Sequence, residues 1–209
     1  HKVTLYEQKN ELGGKLDFAS RIKGPHENLD DLKTYLIRQQ ELAGVTVVTD
    51  TAVDAALVAA EAPDAVVLAA GSVPAELPVS GGSVPVVDLN SFEMADLGNT
   101  VVVYGSNAQA FDVALWCTVR GKKVHVVTPD VNENLDLQQS QHARRFMLTS
   151  LYSLGVRAWP SATLKSINDG SITIETGAGV DAEIACDSII NAADALPNTA
   201  LLDEITVAE

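Results

Sequence analysis

The stretch from Gly105 to Ala110 combines residue types and a position that suit phosphate binding. It reads Gly-Ser-Asn-Ala-Gln-Ala after an apolar run and before a helical pattern. A G-x-G-x-x-G fingerprint in this context binds a dinucleotide pyrophosphate at a helix N-terminus. Gly105 and Ser106 open the turn, and Ala110 is a tolerated replacement of the third glycine. Asn107 replaces the second glycine and would push a diphosphate outward or hydrogen-bond to it. The stretch predicts a nucleotide site, with a purely structural strand–helix turn as the alternative.

The residue that would read the ribose lies about 20 positions further along. An Asp or Glu there accepts the 2′-hydroxyl of NAD, whereas an arginine accommodates the 2′-phosphate of NADP. Thr128 occupies this position, and Asp130 follows two residues later. The sequence therefore leaves NADH, NADPH and ADP open as ligands, with Asp130 as a displaced ribose candidate.

A second candidate site lies near the beginning of the chain. Glu7 ends the first predicted strand, which starts at Val3, and Gly13-Gly14 follow it. In a Rossmann-type unit such a carboxylate reads the adenosine ribose, and a glycine pair lets the backbone approach the cofactor. The first strand with its phosphate loop is not in the sequence, and an exposed glutamate after a strand is the simpler alternative.

The other residues with chemical potential show no catalytic or metal-binding spacing. We find no nucleophile elbow, zinc-protease motif or P-loop. The cysteines are expected to be buried free thiols in a reducing cytoplasm. The histidines are expected in strands or on the surface, and the tryptophans in the core. The paired arginines are expected on a solvated helix face, with a phosphate contact as the alternative. These residues are Cys117, Cys186, His1, His26, His125, His142, Trp116, Trp159, Arg144 and Arg145.

Composition narrows the classes of partner. The 209 residues carry a net charge of −14, which repels phosphate backbones and anionic lipids. We therefore expect neither nucleic acid nor membrane as a partner. No apolar run is long enough to span a bilayer. Hydrophobic residues reach 46% while aromatics reach only 5%, as is typical of helices packed on parallel strands.

A strand–helix–strand cycle positions the glycine turn. Apolar runs predict strands at 101–104 and 123–127, and 3.6-residue spacing predicts helices after Ala110 and over 141–154. Leu-Ala-Gly-Val at 42–45 and Ser-Leu-Gly-Val at 153–156 end two helices alike, as successive βαβ units would. In the helix after Ala110, the apolar residues expected on one face are Phe111, Leu115 and Val119.

The last third of the chain adds short strands. They are predicted at 156–159, 163–167 and 171–175, and Asn168-Asp169-Gly170 is a hairpin signal. A covered strand follows at 187–193. The fold class is therefore α/β, with a Rossmann-like three-layer nucleotide-binding domain, a small antiparallel insert and an incomplete second Rossmann-like domain.

The first third supplies that second domain. Asn28 is expected to cap a helix, and 45–48 to form the following strand. The apolar run 65–70, which ends at Gly71, is typical of a strand covered on both faces. Breaker residues over 74–85 indicate a linker. The incomplete domain is therefore expected over residues 1–85 and the nucleotide-binding domain over 86–192. Residues 193–209 are expected to begin the return of the chain to the incomplete domain.

The order of these segments resembles a known arrangement. Leu5 to Leu16, with its Gly-Gly pair, resembles the segment after the first helix of flavoproteins with two dinucleotide-binding domains. Ala19 to Pro25, followed by Leu29 to Gly44, resembles the C-terminal reductase half of the 2,4-dienoyl-CoA reductase, enoate reductase and trimethylamine dehydrogenase group. These proteins are old-yellow-enzyme fusions. Ala69-Ala70-Gly71 and Leu196-Pro197-Asn198 resemble two further motifs of these proteins.

The resemblance implies a function and a set of cofactors. The parent protein is expected to relay electrons between NAD(P)H and FAD or FMN, with Glu7, Gly13, Gly14, Ala70 and Gly71 in the FAD cradle. FMN and an iron–sulfur cluster would lie in a barrel that this chain lacks. Because the chain opens directly in a strand, we expect a piece of a longer chain, inactive and colourless alone, with the rest of that chain as partner. The alternative is an ADP-binding or structural domain.

Overall fold

The computed structural model describes residues 1–24 and 27–207. They form two compact units, His1–Ser72 with the segment from Pro197 onward, and Val73–Leu196. His26 lies outside the described residues. In chain order the elements are β1 (Thr4–Tyr6), α1 (Lys15–Lys23), α2 (Leu29–Leu42), β2 (Thr46–Val48), α3 (Ala55–Glu61), β3 (Ser72–Pro74), β4 (Val86–Asp88), β5 (Thr100–Tyr104), α4 (Ala108–Val119), β6 (Lys123–Val127), α5 (Gln141–Ser153), β7 (Arg157–Trp159), β8 (Thr163–Ile167), β9 (Ser171–Glu175), β10 (Asp181–Ala185), β11 (Ser188–Asn191), β12 (Ala195–Pro197) and α6 (Ala200–Val207).

The larger unit, from Val73 to Leu196, is built on a five-stranded parallel sheet. Its strand order is β4-β11-β5-β6-β7, and every pair in it is parallel. The chain moves outward from β5 through β6 to β7, and β11 lies on the other side of β5. The strand order therefore reverses between β5 and β11, which is where Rossmann-like sheets bind ligands. The predicted α/β fold class is confirmed.

Helix α4 packs on β5 and β6 through a face of mostly small side chains. Ala110, Ala114 and Cys117 are buried on this face, because small residues let a helix approach a sheet closely. The predicted stripe was partly wrong. Phe111 is buried, but Val119 is 60% exposed, since it lies in the last turn of the helix and outside the face that contacts the sheet.

A three-stranded antiparallel sheet covers the other face of the parallel sheet. Its order is β10-β9-β8, and its isoleucines and leucine form one core with Val102, Tyr104 and Val127. The predicted hairpin is present, with the Asn168 amide donating to the Ser171 carbonyl over 2.8 Å. The sequence reading missed β10, whose charged and small residues carry little strand signal.

The smaller unit contains a parallel pair, β1 and β2. Helix α1 packs against α2, and α3 against α6. Asn28 precedes α2 in a left-handed conformation, φ +52°, and makes no side-chain capping bond. The predicted Asn28 cap was therefore wrong, because a capping residue has extended rather than left-handed backbone geometry.

The run 65–70 was predicted to be a covered strand, and the structure contradicts this. These residues have no regular secondary structure and are exposed, with Val67 89% exposed. Among the described residues, no strand lies alongside the run to complete a ladder. Apolar residues alone do not make a strand, because its backbone groups need a neighbour.

No helix within residues 1–24 and 27–207 is long and apolar enough to cross a membrane.

His125 gives the larger unit a pH-dependent stability. Burial, with help from Lys123 and Arg157, lowers the pKa of His125 to about 4, and its Nδ1 accepts a 3.1 Å bond from the Trp159 indole. The unfolded state gains a proton below about pH 6.5 that the folded state takes up only near pH 4. The contribution of neutral His125 to the free energy of unfolding is therefore fully present above pH 6.5. It is lost as the pH falls towards 4, by at most about 1.4 kcal/mol per pH unit.

We expect His125→Leu to flatten the pH dependence of the unfolding free energy between pH 6.5 and 4, measured by urea denaturation. The exposed His142 provides the control, since His142→Leu should leave the slope unchanged. An unaltered slope in the His125 variant would contradict this assignment.

Candidate nucleotide-binding site

Gly105 leaves β5 at the point where β5 and β11 lie side by side. Its φ is +147°, a region essentially reserved for glycine. A Cβ at this position would overlap the carbonyl oxygen of Ala192, directly after β11. The Gly105 amide also donates to the Val127 carbonyl over 3.0 Å. Only glycine can therefore make this turn, as the sequence pattern predicted.

Asn107 directs its side chain across the reversal point. It is the N-cap of α4, and its Oδ1 accepts the Ala110 amide at 3.0 Å. Its Nδ2 donates to the Ala192 carbonyl at 3.0 Å and to Asp194 Oδ1 at 3.2 Å. The side chain is buried, so it ties the start of α4 to the segment that follows β11.

Ser106 is held from the other side by the segment after β6. Its hydroxyl donates to Asp130 Oδ2, and its carbonyl accepts the Asp136 amide at 2.7 Å. Thr128 is only 1% exposed, and its hydroxyl oxygen accepts the Asp130 amide at 3.2 Å. Asp130, the displaced candidate, therefore has its carboxylate beside the glycine turn.

The structure brings the predicted residues of the second nucleotide together at the carboxyl edge of the parallel sheet. The side chains of Ser106, Asn107 and Thr128 are all buried and bonded within the protein. The first amides of a helix have no partner in its own ladder, and Asn107 takes that of Ala110. The amides of Ala108 and Gln109 are the donors that the helix end can offer to an anion.

Two carboxylates place negative charge at this edge of the sheet. Asp130 and Asp194 both hydrogen-bond to residues of the turn. Burial raises the pKa of Tyr104, and the charge of Asp130 raises it further. A second negative group, such as a 2′-phosphate, would meet repulsion beside Asp130.

The predicted flavin residues lie in the smaller unit. Glu7 follows β1, and its Oε1 accepts the Lys9 amide at 2.9 Å. Gly13 and Gly14 precede α1, and a Cβ at Gly13 would overlap the carboxylate of Asp17. The φ of Gly13 is +146°, a region that side chains rarely adopt, so the backbone itself favours glycine at this position. The other two predicted residues are the exposed Ala70 and Gly71.

Arg144 makes contacts that the sequence did not indicate. Its Nη2 donates to the carbonyls of Asn132 and Glu133 at 3.0 and 2.9 Å, and its Nε donates to the Leu135 carbonyl. The prediction that both arginines lie on a solvated helix face is therefore correct only for Arg145, which is exposed. No local pattern could have indicated these bonds, because they join α5 to a turn that precedes it in the chain.

The parallel sheet, the glycine turn and the covering antiparallel sheet define a Rossmann-like nucleotide-binding domain. The family model described as "Pyridine nucleotide-disulphide oxidoreductase" matches residues 2–209. The chain belongs to this family of oxidoreductases, and the resemblance inferred from the sequence is confirmed.

Proteins similar to this chain include named oxidoreductases. The chain is 27% identical over 203 residues to bilirubin reductase of Mediterraneibacter gnavus (strain CC55_001C), covering 95% of this chain and 31% of the relative. It is 28% identical over 165 residues to NADH oxidase of Thermoanaerobacter brockii, covering 76% and 25%. The structure of 2-naphthoyl-CoA reductase with 2-naphthoyl-CoA matches with a TM-score of 0.85 at 23% identity, over 98% of this chain and 31% of that one. The chain thus spans about a third or less of these proteins.

We expect Gly105→Ala to lower the unfolding free energy of the larger unit by about 3 kcal/mol, because strain and backbone overlap act together. Gly121→Ala is the matched control. Gly121 also has a positive φ, +80°, but its Cβ would meet open space, so the expected loss is about 1 kcal/mol. Equal losses in chemical denaturation would contradict the close approach to Ala192.

Proposed function

We propose that the chain is part of a flavin-dependent NAD(P)H oxidoreductase of the old-yellow-enzyme fusion type, which relays electrons between a pyridine nucleotide and FAD or FMN. The observation that carries the proposal is the glycine turn at the reversal point of a parallel sheet, with α4 beginning directly after it. The names of two relatives, NADH oxidase and bilirubin reductase, accord with it. When bound, nicotinamide and flavin supply the redox chemistry.

The residues of this chain bind and orient rather than react. The close turn at Gly105 and the amides of Ala108 and Gln109 would hold the pyrophosphate. Ser106, Asn107, Ala110 and Thr128 would shape this site, mainly through backbone and packing because their side chains are buried or small. Asp130 would accept hydrogen bonds from the adenosine ribose. No residue of the chain is proposed to be catalytic.

The smaller unit would contribute to the FAD cradle of the parent protein. Glu7 is placed at the end of β1, and Gly13-Gly14 opens α1. Ala70 and Gly71 would come near the cofactor through the backbone. FMN and an iron–sulfur cluster would belong to a barrel domain outside these 209 residues.

Titration of the purified chain with NADH, NADPH and ADP tests the nucleotide site. Because Asp130 repels a 2′-phosphate, we expect NADH to bind about tenfold more tightly than NADPH. Asp130→Asn should narrow this ratio. Asp64→Asn removes an equivalent charge from an exposed position of the smaller unit and should leave the ratio unchanged. Failure to bind any of the three nucleotides would contradict the proposal.

We also infer that the 209 residues are a piece of a longer protein. The exposed apolar run 65–70 supports this inference, because it is typical of a strand that has lost its neighbour. The short span relative to similar proteins also supports it. The remaining part of the parent chain would cover the run and complete the flavin domain.

We expect the purified chain to be colourless, because the flavin phosphates would have no loop to bind them. Visible absorbance after reconstitution with excess FAD and gel filtration is the measurement. Stoichiometric retention of FAD would contradict the inference that the chain is incomplete.

An ADP-binding or structural domain, as in an enzyme like trimethylamine dehydrogenase, is the second candidate function. Asn107 favours the structural alternative, because its Oδ1 already accepts an α4 amide that the diphosphate of any of these nucleotides could otherwise use. The absence of a carboxylate at Thr128 favours ADP over NAD at the same site. Binding of ADP without measurable binding of NADH or NADPH would select this candidate over the first.

A further inference from the structure

The segment between β6 and α5, residues 128–140, contacts the glycine turn at two points. We name it the strap. Asp130 in the strap accepts the hydroxyl of Ser106, and the Asp136 amide donates to the Ser106 carbonyl over 2.7 Å. Ser106 is therefore fixed through both its side chain and its backbone. The turn leads directly into α4, so its position determines where the first amides of α4 lie. Because the strap holds the turn, the position of these amides depends on the strap.

Two anchors hold the strap itself. One is the loop after β7, where the Ser161 amide donates to the Asp130 carbonyl at 2.7 Å and the Ala162 amide to the Thr128 carbonyl at 2.9 Å. The other is Arg144 on α5. These anchors act on different halves of the strap, since the first fixes residues 128–130 and the second acts beyond residue 131.

Arg144 binds three backbone carbonyls in the second half of the strap. Its guanidinium donates to the carbonyls of Asn132, Glu133 and Leu135. Asn132 to Asn134 form a 3₁₀ turn, in which the Asn132 carbonyl accepts the Leu135 amide at 3.4 Å. The carbonyls of Glu133 and Leu135 lie at the end of the turn, where the helical ladder supplies no partner. A guanidinium offers five donors in a rigid fork, so one side chain can donate to all three carbonyls at once. The next residue after Leu135 is Asp136, whose amide donates to the Ser106 carbonyl.

We propose that Arg144 is a positioning residue for the nucleotide site, acting through the strap on the Gly105–Ala110 turn. The path is continuous. Arg144 fixes the carbonyls of Asn132, Glu133 and Leu135, and this holds the Asp136 amide against the Ser106 carbonyl. That contact sets the orientation of the turn and of the amides that follow it. The part of this inference that concerns a bound nucleotide rests on the proposed function. The part that concerns the orientation of the turn rests only on the contacts described above.

The matched variants are Arg144→Ala, Arg144→Lys and Arg145→Ala. Arg145 is the next residue on α5, is exposed and carries the same charge. Lysine keeps the charge of Arg144 but has a single ammonium group, which cannot bind three separated carbonyls at once. We expect Arg144→Ala to weaken NADH binding about tenfold or more, Arg144→Lys to be intermediate, and Arg145→Ala to match the unmodified chain.

Amide hydrogen exchange without nucleotide gives the second readout. Arg144→Ala should speed exchange at Asp136 and in the Gly105–Ala110 turn, and leave the central strands β5 and β6 as protected as before. Equal NADH affinities in the Arg144→Ala and Arg145→Ala variants would overturn the proposal. Exchange that rises equally in β5 and β6 would also overturn it, because the effect would then be general destabilisation.

The two readouts separate this inference from the proposed function. If the unmodified chain binds no NADH, NADPH or ADP, the proposed function fails. Exchange at the turn then decides the role of Arg144 alone. Faster exchange in Arg144→Ala supports its positioning role, and unchanged exchange refutes it.

Discussion

The close approach of Gly105 to the carbonyl of Ala192 is the constraint around which the larger unit is arranged. Neighbouring parallel strands bring the end of β5 to the end of β11, and the chain must leave β5 without a side chain in that space. The same carbonyl then accepts a hydrogen bond from the side-chain Nδ2 of Asn107. One peptide group thus fixes both the turn and the cap of α4. The direction of the helix amides, and with it any affinity for anions, follows from this contact.

The turn is enclosed by protein on two sides, which explains its unusual residue types. The segment after β11 takes the side chain of Asn107, and the strap takes the hydroxyl and carbonyl of Ser106. A second glycine would leave the Ala110 amide and the Asp194 carboxylate without these bonds. The departure from the usual glycine pattern therefore has a structural compensation, in which a side-chain amide replaces contacts that a ligand or water would otherwise make.

Local patterns predicted the parts of the fold that depend on local chemistry. The strands at 101–104 and 123–127 and the hairpin at 168–170 follow from apolar runs and turn residues. The run 65–70 is also apolar but is not a strand, because a strand also needs a neighbouring strand, which the residues of the run cannot supply. The contacts of Arg144 and the placement of Asp130 beside Ser106 depend on tertiary geometry. Sequence spacing identified Asp130 only as a displaced carboxylate.

The two thiols have a practical consequence for experiments. Burial raises the pKa of Cys117 to about 12 and that of Cys186 to about 11, with Asp187 adding to the latter. Both are free and lie within the larger unit. The thiolate is the reactive form, so both sulfurs react slowly while the unit is folded. Alkylating reagents reach these sulfurs only when the unit opens, and their labelling rate measures that opening directly.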